Sequence, residues 1–131
     1  MNSTVLIVDD SPTVRRFVHA ALDLEGFAVV EAANGMEALE LLPSTAVDLV
    51  LTDLNMPDMD GLEFLKTLRE SEMYRQIPVI VLSSMAEAEM RDRAQRLGAS
   101  AYLAKPFSRE ALTATISRLA VATAQGGSEI S

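Results

Sequence analysis

The sequence predicts an α/β domain with a parallel sheet covered by helices on both faces, and three observations predict it. Five short apolar runs alternate along the chain with five stretches of helical periodicity. The runs are uniformly apolar, as strands buried on both faces are. The polar residues that interrupt them stand where the runs end, at the edge where open α/β sheets bind ligands.

Val5–Val8 is the first run, and it ends in two adjacent acids, Asp9 and Asp10. Ser11 is placed to cap the helix that follows, with Pro12 at its first position. Val14, Phe17, Val18, Ala21 and Leu22 share one face of that helix, and Gly26 ends it. Phe27–Ala32 reads as the second strand, Asn34-Gly35 as a turn, and Met36–Leu42 as a short helix stopped by Pro43. Val47–Thr52 is the third strand, with Asp53 at its end. The loop NMPDMDG, Asn55–Gly61, leads into a helix carrying Leu62, Leu65 and Leu68 on one side. Ile77–Leu82 is the fourth strand, followed by Ser83. Ser84-Met85-Ala86-Glu87 fits a capping box for a helix over Ala86–Leu97, which leaves the Ser83 hydroxyl free. Ala101–Leu103 is a brief fifth strand, Lys105-Pro106 follows it, and Leu112, Ile116 and Leu119 mark a last helix over Arg109–Val121. The domain is expected over residues 1–122, with 123–131 as a flexible tail.

Composition narrows the chemistry. At 131 residues the chain is long enough for one well-buried core. A net charge of -8 argues against direct nucleic acid binding, which needs a basic face. No apolar run approaches the roughly 20 residues of a membrane span. The absence of cysteine excludes disulfides and thiolate metal sites and is compatible with a cytoplasmic location; the single histidine, His19, excludes a multi-histidine metal site.

Asp9-Asp10, Asp53 in DLNMPDMDG, Ser83 and Lys105-Pro106, each at a strand end and in this order, resemble the receiver domain of two-component response regulators. The resemblance covers roughly residues 4–121 and is nearest to the stand-alone chemotaxis-type regulators. It implies a flavodoxin-like (βα)5 fold with strand order 2-1-3-4-5. It also implies that Asp53 accepts a phosphoryl group from a histidine kinase or a histidine phosphotransfer protein. Asp10, Asp53 and the backbone carbonyl of Asn55 would bind Mg²⁺, with Asp9 acting largely through a water. Pro57, Gly61 and Pro106 would shape the loops around the site. The output face would be formed by the fourth helix, fifth strand and fifth helix, where it would meet a downstream protein.

The residues support that chemistry on physical grounds. Three carboxylates converging at one sheet edge repel by about 3–4 kcal/mol per pair at 4–5 Å and an effective dielectric near 20. Mg²⁺ relieves this, since it prefers carboxylate oxygens and bridges readily to phosphate. A carboxylate nucleophile, a lysine and a hydroxyl donor are what phosphoryl transfer requires for attack and charge neutralisation. Lys105 and Ser83 fill the last two roles.

Other residues read more plainly. Tyr102 is a core aromatic by position, although the resemblance implies a side chain that swings inward when the hydroxyl residue closes on the phosphoryl group. His19 reads as a surface or half-buried residue of the first helix rather than a phosphorelay histidine. Met56, Met59, Met85 and Met90 read as packing and loop residues. Departures from the family pattern are mild: Ser83 stands where threonine is common, and Ser84 where alanine or glycine is common. A flavin carrier would need a Ser/Thr/Gly-rich phosphate loop after the first strand, which Asp-Asp-Ser-Pro does not supply. An aspartate-nucleophile phosphatase would need an Asp-x-Asp pattern there, whereas these acids are adjacent. A receiver cut from a longer regulator stays open as a reading of the same residues.

Overall fold

The computed structural model describes residues 3–84 and 87–130, with side chains described as far as Leu119. In these, β1 (Thr4–Val8), β2 (Ala28–Ala32), β3 (Leu49–Asp53), β4 (Val79–Ser83) and β5 (Ala101–Ala104) alternate with five helices. The helices are α1 (Pro12–Leu24), α2 (Gly35–Leu41), α3 (Gly61–Glu70), α4 (Ala88–Arg96) and α5 (Arg109–Ile130). A 3-10 turn, Leu42–Ser44, follows α2. Every strand pairing is parallel and the order is β2-β1-β3-β4-β5, the flavodoxin-like order expected from the sequence.

The continuous apolar runs have a direct cause. Leu6, Val8, Val50, Val79 and Val81 point to one face and pack with Leu62, Phe64, Leu65 and Leu68 of α3. Val5, Ile7, Leu49, Leu51, Ile80 and Leu82 point to the other and pack with Val18 and Leu22 of α1 and Leu112 and Ile116 of α5. Successive side chains of a strand alternate faces, and both faces are covered here, so the central strands are apolar almost to their ends. Buried Thr52 is accommodated by donating its hydroxyl to the Asp53 carbonyl at 3.0 Å. Met56 is buried, and Met59 and Met90 pack on the core as read from the sequence; Met85 and Ala86 lie outside the described residues.

Several boundaries differ from the sequence reading, each for an identifiable reason. Asn34 is a helix cap rather than part of a turn: its Oδ1 accepts the Glu37 N–H at 2.9 Å, and α2 opens at Gly35. β3 begins at Leu49 instead of Val47, because the Asp48 carboxylate turns back to accept the Thr4 N–H. β4 runs from Val79 to Ser83 rather than Ile77 to Leu82: Pro78 has no N–H for the ladder, and Arg69 takes the Ile77 carbonyl at 2.8 Å. α4 runs over Ala88–Arg96, and Ala86, where the sequence reading opened it, lies outside the described residues. Glu87 does reach back to the Ser84 N–H as in a capping box, but the Ser84 hydroxyl donates to the same Glu87 oxygen instead of capping. The Phe17 side chain, expected inward, is 43% exposed at the edge of the α1 stripe and lies edge-on to Phe107, with ring centroids 5.9 Å apart.

The last helix is longer than the sequence reading gave. Its backbone continues past Val121 to Ile130, into the segment expected to be a flexible tail. Ala120, Ala122, Ala124 and Gln125 are strong helix formers and carry the helix across the paired glycines.

Candidate functional site

Strand register builds the site. Val8 lies opposite Thr52, so one step on, Asp9 stands abreast of Asp53 at the carboxyl edge. Asp53 is in turn opposite Leu82, and Ser83 is opposite Ala104, which brings Lys105 to the same edge. The Lys105 N–H donates to the Ser83 carbonyl at 2.8 Å, which fixes the start of the following loop against β4.

Asp9, Asp10 and Asp53 each present a carboxylate oxygen within 4.8 Å of the others. Asp9 is fully buried and Asp53 almost so, while Asp10 is exposed. The Asp9 carboxylate accepts the Ser11 N–H at 2.9 Å, and the Asp53 carboxylate accepts the Leu54 N–H at 2.9 Å. Lys105 Nζ sits between them, 2.8 Å from Asp9 Oδ2 and 3.3 Å from Asp53 Oδ1. Burial, and then the charge of Asp9, pushes the Asp53 carboxyl above its ordinary pKa, despite Lys105 and the Asn55 backbone, which act the other way. Burial also works to lower the Lys105 pKa, but the bonds and charges of Asp9 and Asp53 outweigh it and hold the ammonium above its ordinary value.

The remaining sequence-predicted residues surround this cluster. Ser83 is buried, and its Oγ has no hydrogen-bond partner among the described residues. The Tyr102 hydroxyl, on the neighbouring strand, is also buried without a partner among them, while its ring packs on the α3–α4 side of the core. Asn55 is exposed just past β3. Pro57 accepts the Met59 N–H at 2.7 Å within the loop, where Asp58 takes a φ of 68°. Gly61 returns that loop to the strand end: its N–H donates to the Leu54 carbonyl at 2.9 Å, and a Cβ there would overlap the Asp53 carbonyl oxygen. Pro106 follows Lys105 through a cis peptide bond.

Two residues near the cluster went unread in the sequence. Arg15 Nη1 donates to the backbone carbonyl of Asp9 at 2.6 Å, and its Nε lies 3.2 Å from Glu31 Oε1. The available signal was Glu31 itself, a lone acid in the apolar run AVVEA.

This donor set fits a hard divalent cation. Three carboxylates against the one Lys105 ammonium leave an excess of two negative charges, and the oxygen-only ligands suit Mg²⁺. The orphaned Ser83 hydroxyl is a donor awaiting an acceptor.

Fold and site together define a receiver-type signalling domain. The chain belongs to the response regulator receiver domain family, whose pattern matches residues 5–117. It is similar to the chemotaxis response regulator CheY4 of Vibrio cholerae, with a TM-score of 0.85 and 36% identity over 90% of this chain and 98% of that one. The magnesium-bound receiver domain of the sensor histidine kinase PA1611 from Pseudomonas aeruginosa is also similar, with a TM-score of 0.82 and 30% identity over 90% of this chain and 97% of that one. The regulatory protein AtoC of Escherichia coli is 41% identical over 87% of this chain, which spans 24% of that longer relative. Among the described residues no helix is long and apolar enough to cross a membrane.

Proposed function

We propose that the chain is a single-domain receiver that takes a phosphoryl group from a histidine kinase or phosphotransfer protein onto Asp53. The observation that carries this is the buried Asp53 carboxylate, gathered with Asp9 and Asp10 within 4.8 Å and bridged to Asp9 by Lys105. In the reaction, an Asp53 oxygen attacks phosphorus, the O–P bond forms as the donor's N–P bond breaks, and the departing imidazole takes up a proton. Mg²⁺, held by Asp10, Asp53 and the Asn55 carbonyl with Asp9 beside it, would supply charge neutralisation to the phosphoryl oxygens; the magnesium-bound kinase receiver supports that assignment. Lys105 would turn from the two carboxylates to the new phosphoryl charge, and the Ser83 hydroxyl would donate to it. The protein thus acts on itself during phosphorylation and dephosphorylation, and its role is signalling.

Phosphorylation shifts a two-state equilibrium rather than building a new fold. Tyr102 couples Ser83 to the α4–β5–α5 surface, where the downstream protein docks. A recess of about 320 Å³ between β5 and α5, lined by Tyr102, Thr115, Arg118 and Leu119, supports that face as an output surface. Residues 1–122 make the receiver, which works in the cytoplasm, and similarity to CheY4 supports a chemotaxis or motility role. The longer AtoC supports a second reading, a receiver belonging to a regulator with an output domain.

Incubation with acetyl phosphate and Mg²⁺ tests the reading. The intact mass should rise by one phosphoryl group, and Asp53→Asn should remove that gain. Wild-type labelling of Asp53→Asn would refute it.

A further inference from the structure

Between α1 and β2, Arg15, His19 and Glu31 form a chain of contacts that ends on the backbone of the acid pair. His19 Nδ1 lies 2.7 Å from Glu31 Oε2, and Arg15 Nε lies 3.2 Å from Glu31 Oε1. Arg15 Nη1 then donates to the Asp9 carbonyl at 2.6 Å. The Arg15 side chain is only 18% exposed, so this arginine is not a solvated surface cation.

We propose that Arg15 is a positioning residue for the metal cluster: seated by Glu31, it fixes the Asp9–Asp10 peptide and through it the direction of Asp10. The proposal rests on the Mg²⁺ reading of the three acids. The carbonyl it holds belongs to the peptide unit that joins Asp9 to Asp10. That unit lies beyond the β1 ladder, whose last paired residue is Val8. The Asp9 N–H, in the preceding peptide unit, is held by the Ala32 carbonyl at 3.1 Å, so Arg15 supplies the restraint on the far side and the Asp9 backbone is held on both sides of its Cα. The Asp9 carboxylate has its own anchors in Ser11 and Lys105. Asp10 is exposed, and among the described residues no side-chain hydrogen bond fixes it, so its aim depends on the backbone that Arg15 holds.

Positioning and simple electrostatics make opposite forecasts. A guanidinium beside a cation site repels the cation, so removing it should tighten Mg²⁺ binding if charge alone mattered. If Arg15 instead orients the ligands, its loss should weaken binding, as loss of the groups that orient metal ligands does, by about 10–100-fold. Arg16 is the natural control. It is the adjacent residue on α1, carries the same charge, and is exposed with its Nε on the Pro12 carbonyl.

The test is MgCl₂ titration of the full chain, followed by the amide resonances of Asp10 and Asp53 in NMR. Arg15→Ala should raise the Mg²⁺ Kd about tenfold or more, and should displace the Asp10 amide resonance already in EDTA. Arg15→Lys, which reaches one acceptor but not two, should fall between it and wild type, as should Glu31→Gln. Those two gentler variants carry the test should Arg15→Ala fail to fold. Arg16→Ala should leave the Kd and the EDTA spectrum at their wild-type values. An Arg15→Ala Kd equal to or below wild type overturns the positioning role alone. A wild type whose resonances do not respond to Mg²⁺ overturns the metal reading and this inference with it.

Discussion

Lys105 Nζ lies 2.8 Å from Asp9 Oδ2, although 96 residues separate the two in sequence. Asp9 is fully buried, and this ammonium is the countercharge that the closed fold supplies to it. The same nitrogen reaches Asp53, so the lysine expected to contact the phosphoryl group first serves to hold the acids together.

Lys105→Ala should therefore destabilise the metal-free protein. Removing one partner from a buried pair costs about 3–5 kcal/mol. Lys105 is 24% exposed, which reduces the expected loss to about 2–3 kcal/mol. Circular dichroism melts in EDTA and in Mg²⁺ measure it, and Mg²⁺ should recover part of the loss. The variant should still accept phosphate, while the phosphorylation-induced NMR shifts around Tyr102 disappear. Wild-type shifts there would contradict the switch role of Lys105.

Asp53→Asn should have the reverse sign. The folded pKa of Asp53 is raised, by burial first and Asp9 second. Its ionisation therefore works against folding above the ordinary aspartate value, about 3.9. The penalty is full once the pH exceeds the folded value and vanishes below about 3.9. Asp53→Asn should thus stabilise the metal-free protein at pH 7 by about 1–2 kcal/mol, with the gain fading on acidification. A lowered melting temperature at pH 7 in EDTA would contradict the repulsion.

The boundary of α4 and the Arg15–Glu31 contact mark how far the sequence could be read. The acids at strand ends, Ser83 and Lys105 were legible because a parallel sheet covered on both faces leaves its polar residues mainly to the strand ends, whereas the strand order followed only from the family resemblance. Asn34 was misread because Asn-Gly serves both turns and caps, and only the Glu37 N–H decides between them. Glu87 engages Ser84 from within one turn, so the motif was visible, but the direction of the hydroxyl hydrogen bond was not. Arg15 gave no signal, since which carbonyl a helix arginine meets depends on how α1 lies across β1 and β2.

Glu31→Gln should flatten the acid limb of stability. The Glu31 pKa is lowered, chiefly by its hydrogen bond to His19; burial opposes this, and the hydrogen bond to Arg15 and the charges of His19 and Arg15 add to the lowering. A depressed carboxylate contributes stability above its unfolded value, lost as the pH falls through the folded one. Wild type should exceed Glu31→Gln at pH 7 by about 0.5–1 kcal/mol, a partly exposed pair being worth no more, and the difference should close in acid. Melts at stepped pH measure it, and a difference that widens in acid would reverse the assignment.

Ser83→Ala should separate stability from signalling. The Ser83 Oγ is buried and makes no hydrogen bond among the described residues, so its removal should leave the resting protein unchanged or more stable by about 1 kcal/mol. The phosphorylated state should lose its characteristic shifts at Tyr102. A clear loss of resting stability would mean that the hydroxyl already has a partner.

The most direct measurement of the central claim is borohydride trapping of the acyl phosphate followed by peptide mapping. Reduction converts an aspartyl phosphate to homoserine and leaves a free carboxylate untouched, so it reads the modified position. After acetyl phosphate and Mg²⁺, homoserine should appear at position 53, and EDTA should abolish it. Homoserine at another aspartate, or equal yield at position 53 with EDTA, would contradict the account.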